Sequence, residues 1–376
     1  MPLFASKNLS YLGIDLGGSS IKLVELKDEG GRPQLVTYGY IEKSTDIIKS
    51  NSVEAQKEIV MILKELIKKV KPTTMRTVTA LPNFSVFSSI ISLPTMSKKD
   101  LVSAVKWEAK KFVPMPIEEM ILDWEILKSE EEKIEIKKET AGEKDKDKEA
   151  ESKDDLMKEK KRGNIRVLLT AAPRNLVTRY IDIFKQVSLQ LVGLETEAFA
   201  LERSLIGHDN ATIMVVDIGS LATSIMIFSE GIPLVSRSID VGGETITNTL
   251  VNTLNIDPAR AEQFKKDFGL SLAEREGTGQ IPKAIEFVIN SIVNEIRYVF
   301  NIYQNQKIKS IEKIILSGGS AYLLNLPSYL ERIFDIKVFI GDPWARIIYP
   351  VELKPVLSEL GSRFALSVGL AMRQIV

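Results

Sequence analysis

Apolar and polar positions change rhythm along the chain, and the rhythm marks out strands and helices. Residues 11–16 (YLGIDL) form a short apolar run ending in an acid, followed by the turn Gly17-Gly18-Ser19. Residues 21–26 (IKLVEL) form a second run. After a turn containing Asp28, Gly30, Gly31 and Pro33, a third covers 34–41 (QLVTYGYI). Short apolar runs separated by glycine turns predict an antiparallel meander. The same plan returns at 212–240: TIMVVD ends in Asp217, Ile218-Gly219-Ser220 turns, SIMIF follows, then Glu230-Gly231, then IPLVSRSI. Strand, Asp-x-Gly, strand, glycine turn, strand is an internal repeat on the scale of a domain.

Between these runs the period changes to that of helices. Residues 52–70 place Ile59, Ile62, Leu63, Leu66, Ile67 and Val70 on one face, with Asn51 and Glu54 as a capping-box start and Pro72 after the end. Residues 98–112 turn Leu101, Ala104, Val105 and Phe112 inward, with Ser97 and Asp100 as the cap and Pro114 as the stop. Residues 174–188 carry Leu176, Val177, Tyr180, Ile181, Phe184 and Val187 at helical spacing. Residues 283–303 do the same with Phe287, Val288, Ile292, Ile296, Val299 and Tyr303. Strands alternating with helices predict an α/β fold with mixed sheets. One stretch breaks the rhythm. From about 129 to 163 nearly every residue is Lys, Glu or Asp, too polar to offset its own ordering entropy. It lies between the strand-like 121–127 and 165–171 and reads as a solvated insertion at a hairpin tip.

Composition narrows the chemistry. The chain has 376 residues, with Lys plus Arg equal to Asp plus Glu at 50 each. A zero balance argues against nucleic acid as a partner. There is no cysteine and a single histidine, His208, in a polar turn. Disulfides, thiolate metal sites, a cysteine nucleophile and a poly-histidine metal site are excluded. No apolar run approaches the roughly 18 residues of a membrane span. The start MPLFASKNLS is too short in apolar residues for a signal peptide, so a cytosolic location is expected.

Candidate chemistry gathers at glycine turns. In Asp15-Leu16-Gly17-Gly18-Ser19-Ser20-Ile21-Lys22, glycines allow close backbone approach and N–H groups aimed at phosphate oxygens. Ser19 or Ser20 adds a hydroxyl and Lys22 a positive charge. Asp15 repels phosphate unless a cation lies between, and Mg²⁺, which keeps several waters and takes few carboxylates, suits that role. Asp217-Ile218-Gly219-Ser220 would face the first turn if the two halves enclose a cleft, so that two turns clamp one polyphosphate. A third turn, Ser317-Gly318-Gly319-Ser320, leaves room for a flat ring against the backbone. Val241-Gly242-Gly243-Glu244 precedes a helix whose N-terminus could favour an anion, with helix capping an equal explanation.

The two Asp-x-Gly turns and the late Gly-Gly turn resemble those of the actin, Hsp70 and sugar-kinase ATPases. A closer resemblance is to the PilM family of pilus-assembly proteins, relatives of the division protein FtsA. It is carried by YLGIDLGGSSIKLVEL, WEAKKFVPMPIEEMILDWEIL, ETEAFALER and FALSVGLAMR. The resemblance implies an actin-like (ribonuclease H-like) two-lobed ATPase fold with a small subdomain inserted in the first lobe. The implied divisions are 1–84 for the first-lobe core, 85–172 for the partner-binding insertion, 173–210 for connecting helices, and 211–376 for the second lobe with a C-terminal helix returning to the first.

It further implies ATP and Mg²⁺ as ligands. Asp15, Gly17, Gly18, Ser19, Ser20 and Lys22 would form the first phosphate turn and Asp217, Gly219 and Ser220 the second, with the two aspartates reaching Mg²⁺ through water. Glu262 and Lys265 would lie at the nucleoside, and Gly318 and Gly319 at the adenine, with Ser320 next to them in the turn. Glu197 matches the acid that orients the attacking water. Glu195 competes for that assignment, and Ala198 stands where hydrolysing relatives often have proline, so at most slow ATPase activity is expected. The implied partner is the cytoplasmic N-terminal peptide of PilN, a single-span inner-membrane protein, which would hold this chain at the membrane's inner face. Other pilus or secretion platform proteins and self-association are further expectations.

Two alternatives share the fold. A sugar kinase is compatible with IDLGGSSIK, but the cysteine-rich zinc motif typical of the repressor–kinase group is absent. An FtsA-like division scaffold would carry an amphipathic membrane helix after a linker, whereas this chain ends at GLAMRQIV directly after its last expected core helix.

Overall fold

The computed structural model describes residues 9–43, 52–113, 115–127, 164–271, 280–305 and 309–376. The chain divides into two compact units: Met1–Ser85 with Val177–Val376, and Val86–Leu176. The charged stretch 129–163 lies outside the described residues, as do Asn51 and Pro114.

The first unit is built on two sheets of identical plan. In one, β1 (Ser10–Leu16), β2 (Ser20–Asp28), β3 (Pro33–Glu42), β4 (Arg76–Leu81) and β8 (Gln190–Thr196) lie in the order β3-β2-β1-β4-β8. In the other, β9 (Ile213–Ile218), β10 (Thr223–Ser229), β11 (Ile232–Ile239), β12 (Lys313–Ser317) and β13 (Lys337–Ile340) lie in the order β11-β10-β9-β12-β13. Each opens with an antiparallel meander and adds two parallel strands. Each also carries a register shift between its second and third strands, at Glu25/Leu26 and at Ile227/Phe228, the same distance past the aspartate. The repeat read from the sequence is thus a repeat of topology.

Helices fill the layers around these sheets. α1 (Val53–Val70) buries Ile59, Ile62, Leu63 and Leu66, and its N-cap is Ser52, whose hydroxyl accepts the Ala55 N–H at 3.1 Å. The cap expected at Asn51 therefore falls one residue later. α3 (Arg174–Gln186) buries Tyr180, Ile183 and Phe184. The short α4 (Glu197–Leu201) continues as one π-helical turn to Ile206. The second sheet is covered by α5 (Gly243–Leu254), α6 (Pro258–Phe268), α7 (Gln280–Asn305) and α8 (Leu326–Phe334). α9 (Lys354–Leu360) and α10 (Ala365–Met372) then return to the first sheet.

α10 sits between the two sheets because glycines let it. A Cβ on Gly13 of β1 would lie 1.9 Å from the Ser367 carbonyl, and one on Gly369 of α10 would lie 1.8 Å from the Ala200 carbonyl in α4. Ala200 and Leu370 pack with Val78 and Ala80 of the first sheet, while Ala198, Leu201 and Ala365 pack with Val215 and Met226 of the second. The helix pair α4–α10 is therefore the layer on which both sheets rest.

The second unit is a three-stranded antiparallel sheet, β5 (Phe87–Pro94), β7 (Asn164–Pro173) and β6 (Met120–Leu127) in the order β5-β7-β6, with α2 (Lys98–Phe112) on one face. Ser97 caps α2, accepting the Asp100 N–H at 3.2 Å. Leu127 of β6 pairs with Arg166 of β7.

Three residues assigned to buried helix faces are exposed instead. Phe287 is 74% exposed, one residue off the buried row Ile285, Val288, Ile289 and Ile292 and so about 100° around the helix. Ile181 is 47% exposed beside Tyr180, and Ile183 takes the inward place. Phe112 is 51% exposed in the last turn of α2, where burial passes to Val113.

Candidate functional site

The β1–β2 turn brings its charges together by register. Asp15 and Lys22 are cross-strand partners, and the Lys22 ammonium donates to Asp15 Oδ2 at 2.8 Å, with little of either side chain exposed. A Cβ on Gly17 would stand 3.0 Å from the Ser20 carbonyl and 3.4 Å from Lys22 Nζ, so bare backbone lies over the pair. Ser20 is buried at the start of β2.

The second turn touches the first. A Cβ on Gly18 would lie 2.5 Å from Leu221 Cδ1 and 3.1 Å from Ser220 Oγ. The second turn is also locked to the start of α5. Gly219 N–H donates to the Ala222 carbonyl, and the Gly243 and Glu244 N–H groups donate to the carbonyls of Gly219 and Ser220, each at 2.9 Å. Gly242 N–H donates to Thr245 Oγ1 at 3.2 Å. Of the two explanations for Gly242-Gly243, capping accounts for these N–H groups, which are spent on protein acceptors.

The third turn closes against the second. Gly318 has φ of +84°, and a Cβ there would lie 2.4 Å from the Ile218 carbonyl and 3.0 Å from Asp217 Oδ1. Only glycine fits this backbone at that approach. A Cβ on Gly319 would meet only Arg363 Cγ, at 4.0 Å, and Ser320 Oγ lies 2.6 Å from the Cβ position of Gly243. Lys265 Nζ reaches across from α6 to donate to the Gly243 carbonyl at 3.1 Å and Thr247 Oγ1 at 3.0 Å, and pairs with Glu262 at 2.6 Å. Burial pulls the Glu262 carboxyl upward, but the Lys265 ammonium and the Thr247 hydroxyl bring it net below its ordinary range.

The acids share one field. Glu197 is the first residue of α4 and accepts the Asn83 N–H at 3.1 Å. Burial, then the charge of Asp217, then that of Asp15, push its carboxyl up to about 8 against the opposing Asn83 bond. Burial pushes Asp217 up to about 6. The Ser317 hydroxyl pulls it down and Asp15 adds to the rise. Buried Tyr180, facing Glu197 and Asp15, is raised well above its ordinary value, first by burial. Glu195, two residues from Glu197, lies elsewhere: it pairs with Arg203 and with Arg373 Nε at 3.2 Å, and burial still raises it.

The structure thus brings Asp15, Lys22, Asp217 and Glu197 into one electrostatic group and joins the first, second and third turns by contact. Glu262 and Lys265 stand at the edge, tied to the start of α5. Tyr180, Asn83 and Thr247 were not anticipated at the site, and Ser317 was read only as the start of the third turn. Tyr180 was legible only as a core position, and a backbone N–H such as that of Asn83 leaves no mark in a sequence.

Among the described residues, no group of three His, Cys, Asp or Glu stands close enough to hold a metal alone. Asp15's charge adds to the cost of ionising Asp217, which a divalent cation between the two carboxylates would relieve. Mg²⁺ takes one or two carboxylates, usually keeps waters and completes its shell with phosphate, so this donor set fits it.

Comparison with known proteins bears on the whole chain. A model of the type IV pilus assembly protein PilM family matches residues 13–148 and 155–375. The solved PilM-PilN type IV pilus biogenesis complex has a chain 25% identical, with a TM-score of 0.79 over 98% of this chain and 99% of that one. Ethanolamine utilization protein EutJ from Carboxydothermus hydrogenoformans (17% identity, TM-score 0.56, 97% and 89% covered) and MreB5 of Spiroplasma citri bound to AMPPNP (13%, 0.51, 96% and 94%) share the fold. The cell division protein FtsA of Pseudomonas aeruginosa is 27% identical over 178 residues, 41% of this chain and 43% of that protein. The chain therefore spans under half the length of the curated relatives it matches.

Proposed function

The chain belongs to the family of the type IV pilus assembly protein PilM and has the actin-like ATPase fold, and from that premise we propose that it is an ATP-binding scaffold of pilus assembly that takes the N-terminal peptide of a PilN-like membrane protein. The reading rests on one observation: two equivalent turns from twin sheets touch at Gly18 and Ser220–Leu221, with Asp15, Lys22, Asp217 and Glu197 grouped beside them.

In this reading Mg²⁺ supplies charge neutralisation for the phosphates, held through water by Asp15 and Asp217. Lys22, fixed by Asp15, presents a cation to the same phosphates. Gly318 and Gly319 leave the backbone bare where the adenine would lie, and Glu262 and Lys265 would meet the nucleoside. Glu197 would position water. Burial and the charges of Asp217 and Asp15 raise its carboxyl to about 8, and a cation held by those aspartates would ease that rise. The unit Val86–Leu176 would be the partner-binding insertion. No described helix is long and apolar enough to cross a membrane. The protein would stay cytoplasmic and reach the inner membrane through its partner.

Calorimetry with Mg-ATP tests the site. Asp15→Asn should weaken binding at least tenfold, and unchanged affinity would remove the metal role. Titration with a peptide of the PilN N-terminus, with and without Mg-ATP, tests the scaffold. Linkage requires that any effect of one ligand on the other be equal in both directions.

A further inference from the structure

We propose that the outer face of α2 rests on an anionic lipid surface. The inner face of α2 is spent on the second unit's core through Leu101, Val105 and Ala109. On the outer face Trp107 is 64% exposed. Lys99, Lys106, Lys110 and Lys111 are exposed around it. At 100° per residue, Lys106, Lys110 and Trp107 fall on one side of the helix, opposite Leu101 and Val105.

The acids on this helix are engaged locally. Glu108 pairs with Lys111 at 2.8 Å, and Asp100 accepts from the Ser97 hydroxyl at 2.6 Å as part of the cap. Lys99, Lys106, Lys110 and Lys111 outnumber Asp100 and Glu108, so this side of the helix is net positive in a chain whose overall charge is zero. Lys111 Nζ lies over the Trp107 ring, 4.1 Å from its centroid.

An indole amid lysines is the composition of a membrane interface, where the ring sits at headgroup depth and ammonium groups meet lipid phosphates. Each lysine near an anionic surface adds modestly, so this face alone gives weak, reversible, salt-sensitive attachment and acts beside a second tether. The inference does not depend on nucleotide binding.

The test is cosedimentation of the full chain with vesicles of phosphatidylcholine alone and of equal parts phosphatidylcholine and phosphatidylglycerol, at low salt and millimolar lipid. Binding is expected to the anionic vesicles only, to be lost in 0.5 M salt as charges are screened over about 4 Å, and to shift tryptophan emission to the blue. The double variant Lys106→Glu with Lys110→Glu should lose at least tenfold in affinity. Trp107→Ser should abolish the shift and weaken binding at least threefold. All three side chains are exposed, so unchanged circular dichroism certifies the fold. Failure to bind anionic vesicles would overturn the inference and leave an acidic protein segment as the occupant. Undiminished binding by the variants would assign attachment to another surface and overturn it equally.

Discussion

Replacing Glu197 by Gln should make the protein more stable at high pH and leave it nearly unchanged at low pH. The folded state holds this carboxyl at about 8 against an ordinary 4.5, chiefly through burial and the charge of Asp217. Between those values the folded chain binds a proton that the unfolded chain releases, so stability falls as pH rises through the window. At about 1.4 kcal/mol per pH unit the full difference is roughly 5 kcal/mol. Glu197 keeps some solvent access, so roughly 2–5 kcal/mol should be expressed, and at about 2 °C per kcal/mol for a unit of this size that is roughly 4–10 °C in Tm. Glutamine preserves the shape and can still accept the Asn83 N–H. Differential scanning calorimetry of the nucleotide-free protein from pH 5 to 9 gives the curve. The gap between variant and wild type should open from about a fifth of its full size at pH 5 to its full size at pH 9. A gap that stays constant across this range would refute the reasoning, because it would mean that Glu197 ionises in the folded protein as it does in water.

Other outcomes follow from the same contacts. Gly369→Ala forces a methyl against the Ala200 carbonyl and Gly13→Ala forces one against that of Ser367; each should cost about 1–3 kcal/mol in urea unfolding, and because both displace α10 the double variant should lose less than the sum. Arg203→Ala leaves buried Glu195 with Arg373 alone and should cost about 3 kcal/mol at pH 8. The loss should shrink toward pH 4, where Glu195 is protonated in both states. Asp217→Asn should also flatten the pH dependence of stability between about 4 and 6, since burial raises that carboxyl too, and a thermal-shift series against pH would detect it.

Much of this fold is written locally. The apolar runs at 11–16, 21–26 and 34–41 and their copy at 212–240 became twin meanders because a strand's period and a glycine turn are properties of a few adjacent residues. Helix spans followed from the 3.6-residue repeat, and the errors at Phe112, Ile181 and Phe287 came where periodicity names a sector of the helix but not what lies against it. The glycine turns were legible as bare backbone, and composition alone excluded thiolate and poly-histidine chemistry. Only tertiary structure could separate Glu195 from Glu197. The two lie two residues apart across the change from β8 to α4, and that change sends one to two arginines and the other toward Asp217. Likewise, the contact of Gly18 with Ser220 and the collision that reserves position 318 for glycine involve residues remote in sequence. Short-range sterics select strands, turns and helices. The proton affinities of Glu197 and Asp217 depend on burial and on charges from other strands, which exist only once the two sheets have closed on α4 and α10.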